Sequence, residues 1–166
     1  MLKNRLIPVI VLKGELIVQS LGFERYLPIG NVKMAIEFFV NWDVDEIIII
    51  DIDASKENRG PRQDIVEKAC LECFIPLSVG GGIRSIDQVT KTLRSGADKI
   101  VINEAAYTDQ NFVRKSVEIF GSSTITASVD AKKIGDEYYC FYRNGSINSE
   151  KTITEWSKEL EDLGVG

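Results

Sequence analysis

The 166-residue chain contains no histidine. That excludes imidazole catalysis, haem ligation through histidine and the histidine-bearing zinc motifs together, and it leaves acid–base work to Asp, Glu, Lys, Tyr or Cys. Cysteine is scarce and odd in number, Cys70, Cys73 and Cys140, which argues against a disulfide framework and fits a reducing cytoplasm. No apolar run approaches the roughly 20 residues of a membrane span and no signal peptide is evident, so no membrane partner is expected. A basic excess is lacking as well. Twenty Lys and Arg face 25 Asp and Glu, a net charge of −5, and no basic run offers the clustered cations that duplex phosphates need. Nucleic acid is therefore not an expected partner.

What is present is 44% apolar and 27% charged residues, enough to bury a core in one domain or part of one, taken as residues 1–166. Apolar β-rich runs at Leu6–Leu12, Glu46–Ile52, Ile75–Val79, Lys99–Ile102 and Thr124–Val129 alternate with amphipathic helical stretches. The helical stretches lie near Val32–Asn41, Arg62–Cys73, Ile86–Ser95, Asn111–Phe120 and Thr152–Leu163. Five βα units in series result. The uninterrupted Ile47-Ile48-Ile49-Ile50 suits a strand covered on both faces in a parallel sheet. Two insertions, Lys13 to Gly30 and Gly135 to Asn148, read as hairpins on one end of that sheet. Cys70 and Cys73 form a C-x-x-C late in a helical pattern, where core packing one turn apart is the preferred reading over redox or metal chemistry.

Val44-Asp45-Glu46-Ile47 echoes Ala97-Asp98-Lys99-Ile100, and such an echo favours a barrel built by duplication over an open, doubly wound sheet. Barrel closure takes eight strands and about 250 residues. The expected fold is thus α/β of the (βα)8 TIM-barrel type with only the first five βα units present. The closing Gly164-Val165-Gly166 reads as the turn before a sixth strand.

Gly80-Gly81-Gly82-Ile83-Arg84-Ser85 follows a strand and opens a helix with Ser85 as its N-cap. Such a loop either cradles an anion on free N–H groups or is a tight turn that needs positive φ. Asn103, ending the next strand, would lie beside Gly81 and Gly82 and favours the phosphate reading. Strand parity places Arg5, Glu46 and Lys99 together at the amino-terminal end of the sheet, where their net +1 asks for a further acid. The same parity gathers Asp51, Asp53 and Asp130 at the carboxyl end, as acid–base groups or as holders of substrate hydroxyls. No metal and no cofactor is called for.

The stretches Arg5-Leu6-Ile7-Pro8, Asp51-Ile52-Asp53-Ala54-Ser55, Val79-Gly80-Gly81-Gly82-Ile83, Gly96-Ala97-Asp98-Lys99, Ile102-Asn103 and Val129-Asp130-Ala131-Lys132 resemble the cyclase subunit (HisF) of imidazole glycerol phosphate synthase. The resemblance is collinear over the whole chain. It implies a barrel that receives ammonia from a glutaminase subunit docked at its bottom and reacts it, at the top, with a phosphorylated ribulosyl nucleotide in histidine biosynthesis, a lyase reaction. By resemblance, Gly81, Gly82 and Asn103 bind phosphate, Asp51 lies near substrate and Asp130 is catalytic. Arg5, Glu46 and Lys99 form three parts of an ammonia gate whose fourth member, a glutamate, would follow Gly166, and Asp98 belongs to the partner interface.

Three positions depart from the family pattern. Val11 stands for an aspartate at the end of the first strand, Gln19 for a lysine in the next hairpin, and Glu104 for a threonine beside Asn103. Valine moves no proton. These departures, with Ile7-Pro8-Val9-Ile10-Val11-Leu12, look like a paralogous branch that accompanies a sugar amidotransferase of surface-polysaccharide synthesis. The preferred expectation is a barrel subunit delivering ammonia for amidation of a phosphorylated or sugar substrate. A competent cyclase and a non-catalytic anion-binding α/β domain are the alternatives.

Overall fold

A computed structural model describes residues 4–166. In chain order the elements are β1 (Val9–Lys13), the hairpin β2 (Leu16–Leu21) and β3 (Arg25–Gly30), α1 (Val32–Asn41), β4 (Ile47–Asp51), α2 (Gln63–Glu72), β5 (Leu77–Gly80), α3 (Ile86–Arg94) and β6 (Lys99–Ile102). There follow α4 (Glu104–Thr108), α5 (Gln110–Phe120), β7 (Ile125–Ala127), β8 (Asp130–Ile134), β9 (Glu137–Tyr142), β10 (Ile147–Thr152) and α6 (Ile153–Asp162). The main sheet runs β3-β2-β1-β4-β5-β6-β7. Its β1, β4, β5, β6 and β7 are parallel and adjacent in chain order. A doubly wound sheet would instead place the first strand inside.

Local chemistry explains the helix starts. Asn31, Ser85 and Asp109 each accept from the N–H three residues on, of Met34, Gln88 and Phe112, and so satisfy one of the orphan donors of a first turn. Thr152 and Glu155 form a reciprocal capping box at α6. Ile10 and Leu12 of β1, Ile47 and Ile49 of β4, and Leu77 and Val79 of β5 pack beneath α1 and α2. Ile100, Ile102 and Ile125 build a second cluster with α3 to α6 around Trp156. The alternate residues, Val9, Val11, Ile48 and Ile50, take the other face, as period-two alternation requires.

Several expected boundaries move. The first strand begins at Val9, not Leu6: the Leu6 N–H is taken by the Asp45 carboxylate at 2.7 Å, and Pro8 has no N–H to give a ladder. The fifth parallel strand ends at Ala127, and Asp130 opens β8 instead of closing that strand. The second insertion is a separate three-stranded antiparallel sheet, β10-β9-β8, longer than the expected hairpin. The first insertion extends the main sheet through Leu12 paired with Ile17 and Lys13 with Leu16. The short α4 directly after Asn103 carried no period long enough to be read in sequence.

An apolar face between β1, the first hairpin and α1 is not covered. Val9, Ile29, Met34 and Phe38 are more than half exposed and line an apolar groove of about 390 Å³. The β7 edge is engaged, since the Gly166 N–H donates to the Ile125 carbonyl at 2.9 Å. Among the described residues no helix is long and apolar enough to cross a membrane.

Candidate functional site

A cavity of about 280 Å³ opens at the carboxyl end of the parallel strands. Its lining draws on every one of them or on the loop that follows it, including Val11, Ile50, Gly81, Gly82, Asn103 and Asp130. Both insertions reach it, the first through Phe23 and Tyr26 and the second through Arg143 and Asn144. They meet one another where the Lys132 ammonium lies 5.7 Å from the Phe23 ring. The expectation that both insertions crown one end therefore holds, and the cavity-facing parity of Val9, Val11, Val101, Asn103, Ser128 and Asp130 holds with it.

The glycine loop is shaped by its neighbours. Gly81 and Gly82 have φ of 119° and 64°. A Cβ would collide with the Asp51 carbonyl oxygen at Gly81 and with that of Arg59 at Gly82. Glycine is thus required by close backbone approach, which satisfies the tight-turn reading, while the same loop still borders the cavity. Among the described residues no hydrogen bond takes the N–H of Gly82 or Ile83. Asn103 donates from Nδ2 to the Ser128 carbonyl at 3.0 Å, fixing the amide beside that loop.

The carboxylates divide by environment. Asp51, buried, accepts from Arg59 and from the N–H groups of Asp53 and Ala54, so it organises the loop after β4 and holds that loop against the glycines. Asp53 binds Lys13 at 3.1 Å and the Gly14 N–H at 2.9 Å, which pins the first hairpin. Asp130 is the contrasting case. Burial pushes its carboxyl above the usual aspartate value, and the Gly145 N–H and the Lys132 charge offset this only in part. A cavity carboxyl shifted that way holds its proton to higher pH than an exposed aspartate does.

At the opposite end, Glu46 is the centre of a cluster. Its Oε2 receives the Lys99 ammonium at 2.8 Å and lies 3.5 Å from the Arg5 guanidinium, and its Oε1 accepts from Ser78 at 2.7 Å. Burial opposes its charge, but the bonds from Lys99 and Ser78 and the charges of Lys99 and Arg5 outweigh it and hold Glu46 below the usual glutamate value. Arg5, 61% exposed, is peripheral to the cluster. Asp98 is exposed beside Lys99, and its carboxylate accepts from the Leu77 N–H at 2.8 Å. Asp45 does the same for Leu6 ahead of β1, so the sequence echo is a repeated clamp on the backbone of the neighbouring segment.

Sequence reasoning missed Arg59, Ser78, Arg143 and Asn144. Only the serine, at cavity-facing parity between Glu46 and Lys99, left a usable signal. Cys70 and Cys73 pack on the core, and burial, then the nearby Cys73 thiol and carboxylates, push the Cys70 thiol up to about 11, as the packing reading requires.

Comparison with known proteins decides the family. The sequence profile of the family described as "Histidine biosynthesis protein" matches residues 5–166. The chain belongs to that family. A Vibrio vulnificus protein with the provisional name imidazole glycerol phosphate synthase subunit hisF2 is 53% identical over 167 residues, covering all of this chain and 61% of the relative. A Campylobacter jejuni protein with the same provisional name is 40% identical, over all of this chain and 66% of the relative. The imidazole glycerol phosphate synthase subunit HisF of Petrotoga mobilis is 34% identical, over all of this chain and 67% of the relative. The chain therefore spans about three-fifths to two-thirds of the length of these HisF-type relatives.

Proposed function

We propose that the chain is part of a HisF-like barrel subunit that takes ammonia from a glutaminase partner at the amino-terminal end of its strands. It releases that ammonia at the carboxyl end for amidation of a phosphorylated or sugar substrate. In this reading the five parallel strands are consecutive staves of an eight-stranded barrel. One contrast carries the proposal: buried Glu46 keeps its bonds to Lys99 and to buried Ser78, while Val11 supplies no carboxylate to the cavity that Asp130 lines. A buried pair is retained only where its partners satisfy it, which suits a gate that opens by rearranging Lys99. Leu71 and Phe74, 76% and 87% exposed just before β5, add an apolar surface near Asp98 for the glutaminase. The Gly81–Gly82 loop and Asn103 are the phosphate-holding part of the cavity, and Asp51 positions them.

The competent cyclase of histidine biosynthesis is the second reading, favoured by the family match and by the raised Asp130 carboxyl. Single-turnover cyclisation of the ribulosyl nucleotide with saturating ammonium separates the two, because it removes the partner. Loss of one of two proton-transfer groups costs about 10²–10⁴-fold, so the expected rate lies that far below a competent HisF subunit. A rate within about tenfold of it restores the cyclase. In the ammonia-delivery reading Lys99→Leu uncouples glutamine hydrolysis from amidation, and Val11→Asp leaves delivery unchanged.

A further inference from the structure

The tip of the second insertion is fastened to two other loops of the cavity rim. Arg143 donates from Nε and Nη2 to one oxygen of Glu104, at 3.0 and 2.7 Å. Asn144 donates from Nδ2 to the Ile52 carbonyl at 2.8 Å, 92 residues away in sequence. Arg143, Asn144 and Gly145 all have positive φ, 53°, 54° and 68°. A left-handed arginine is disfavoured in isolation, so tertiary anchoring is what holds this turn. The result is a guanidinium set at a defined place on the rim.

The cations around the cavity are unequal. Arg59 is committed to Asp51 and Glu57. Arg84 bonds only neutral groups among the described residues, the Gly82 carbonyl at 3.3 Å and Asn58 Oδ1 at 3.1 Å. Arg143 is held by Glu104 through a single carboxylate oxygen, and its side chain is 57% exposed while the Glu104 side chain is 19% exposed, so solvent and solutes reach the arginine side of the pair. Glu104 directly follows Asn103 and lines the same cavity. Its charge both repels an entering anion and occupies the arginine that would receive it.

We propose that Glu104 and Arg143 are specificity-determining residues of the cavity: Glu104 is an internal competitor that a phosphate group must displace from Arg143. The pair thereby admits strongly charged, multidentate anions and discriminates against weak ones, because a phosphate accepts both guanidinium bonds and outbids a carboxylate that uses one oxygen. This rests on the reading that the Gly82 and Asn103 rim holds a phosphate.

The test is calorimetric binding of inorganic phosphate and of acetate to the whole protein and its Glu104→Gln, Arg143→Met and doubly substituted forms, with the thermal midpoint of each measured alongside. Removing one negative charge at this range is expected to tighten phosphate binding by about 3–10-fold in Glu104→Gln. Acetate affinity rises by a larger factor than phosphate affinity, Arg143→Met weakens phosphate binding, and the double form loses most of the Glu104→Gln gain. A pair that only fastens the hairpin would lower both midpoints and leave the affinities equal, which overturns the proposal. So does a cavity that binds phosphate in none of the forms. Neither result touches ammonia delivery, which Lys99→Leu tests separately.

Discussion

Gly82 and Gly14 share almost the same backbone conformation, φ of 64° and 60°, yet differ in what surrounds them. A Cβ at Gly14 meets nothing within 4 Å, whereas at Gly82 it meets the Arg59 carbonyl. Gly14→Ala is expected to cost about 1–2 kcal/mol, the ordinary penalty of a left-handed residue. Gly82→Ala should cost clearly more and detach the loop that Asp51 organises, as urea unfolding of the two variants would show. Asp130 behaves in the opposite sense. Its folded carboxyl titrates above the unfolded value, so its contribution to stability is full below the unfolded pKa and is lost as pH rises through the folded one. Asp130→Asn is therefore expected to raise the thermal midpoint at pH 7, with the gain vanishing below the ordinary aspartate range. Glu46, held low, has the reverse profile: its contribution is present above the usual glutamate value and is lost on acidification.

At the scale of elements, the repeated clamp joins sequence to sheet. Asp45 and Asp98 each precede a strand and each tie the N–H of a leucine, Leu6 ahead of β1 and Leu77 opening β5, with their own N–H groups donating back to that leucine's carbonyl. Two such bonds fix the register at the amino-terminal end, where Glu46 and Lys99 must meet across β5. Asp98→Ala is expected to cost about 0.5–1.5 kcal/mol, the net worth of such a bond, and Asp98→Asn, which keeps an acceptor, much less. A glutaminase contact that needs the charge of Asp98 would be lost in both variants, so pairing denaturation with a binding assay separates the clamp from the interface. The N-cap predicted at Ser85 was readable because a cap is a local transaction between a side chain and the backbone three residues on.

For the whole molecule, the unequal edges of the sheet set its behaviour in solution. Met34 and Phe38 on α1 and Trp42 at its C-cap lie about one turn apart and are all more than half exposed, with Phe38 stacked on Trp42. A contiguous apolar face beside an open strand edge promotes association. The 166-residue chain is expected to sediment as oligomers, and Met34→Lys with Phe38→Glu to shift it toward monomer. A monomeric wild type would show that this face is covered in some other way.

The βα rhythm, the cavity-facing alternation and the grouping of Glu46 with Lys99 followed from the sequence, because period and parity are properties of the backbone repeat alone. Parity also picked out Asp130, while the glycine loop came from its Gly-Gly-Gly motif and Asn103 from its place at the end of the next strand. Pairings between loops were not legible. Arg59 on Asp51, Arg143 on Glu104 and Asn144 on Ile52 join segments through long-range closure, with no periodic spacing to betray them. Asp130 shows the division within one residue. Its place at the carboxyl end of the sheet was written in the chain, but its pairing with β9 in the second insertion and the burial that raises its carboxyl, against the partial offset of the Gly145 N–H, arise only in the assembled tertiary structure.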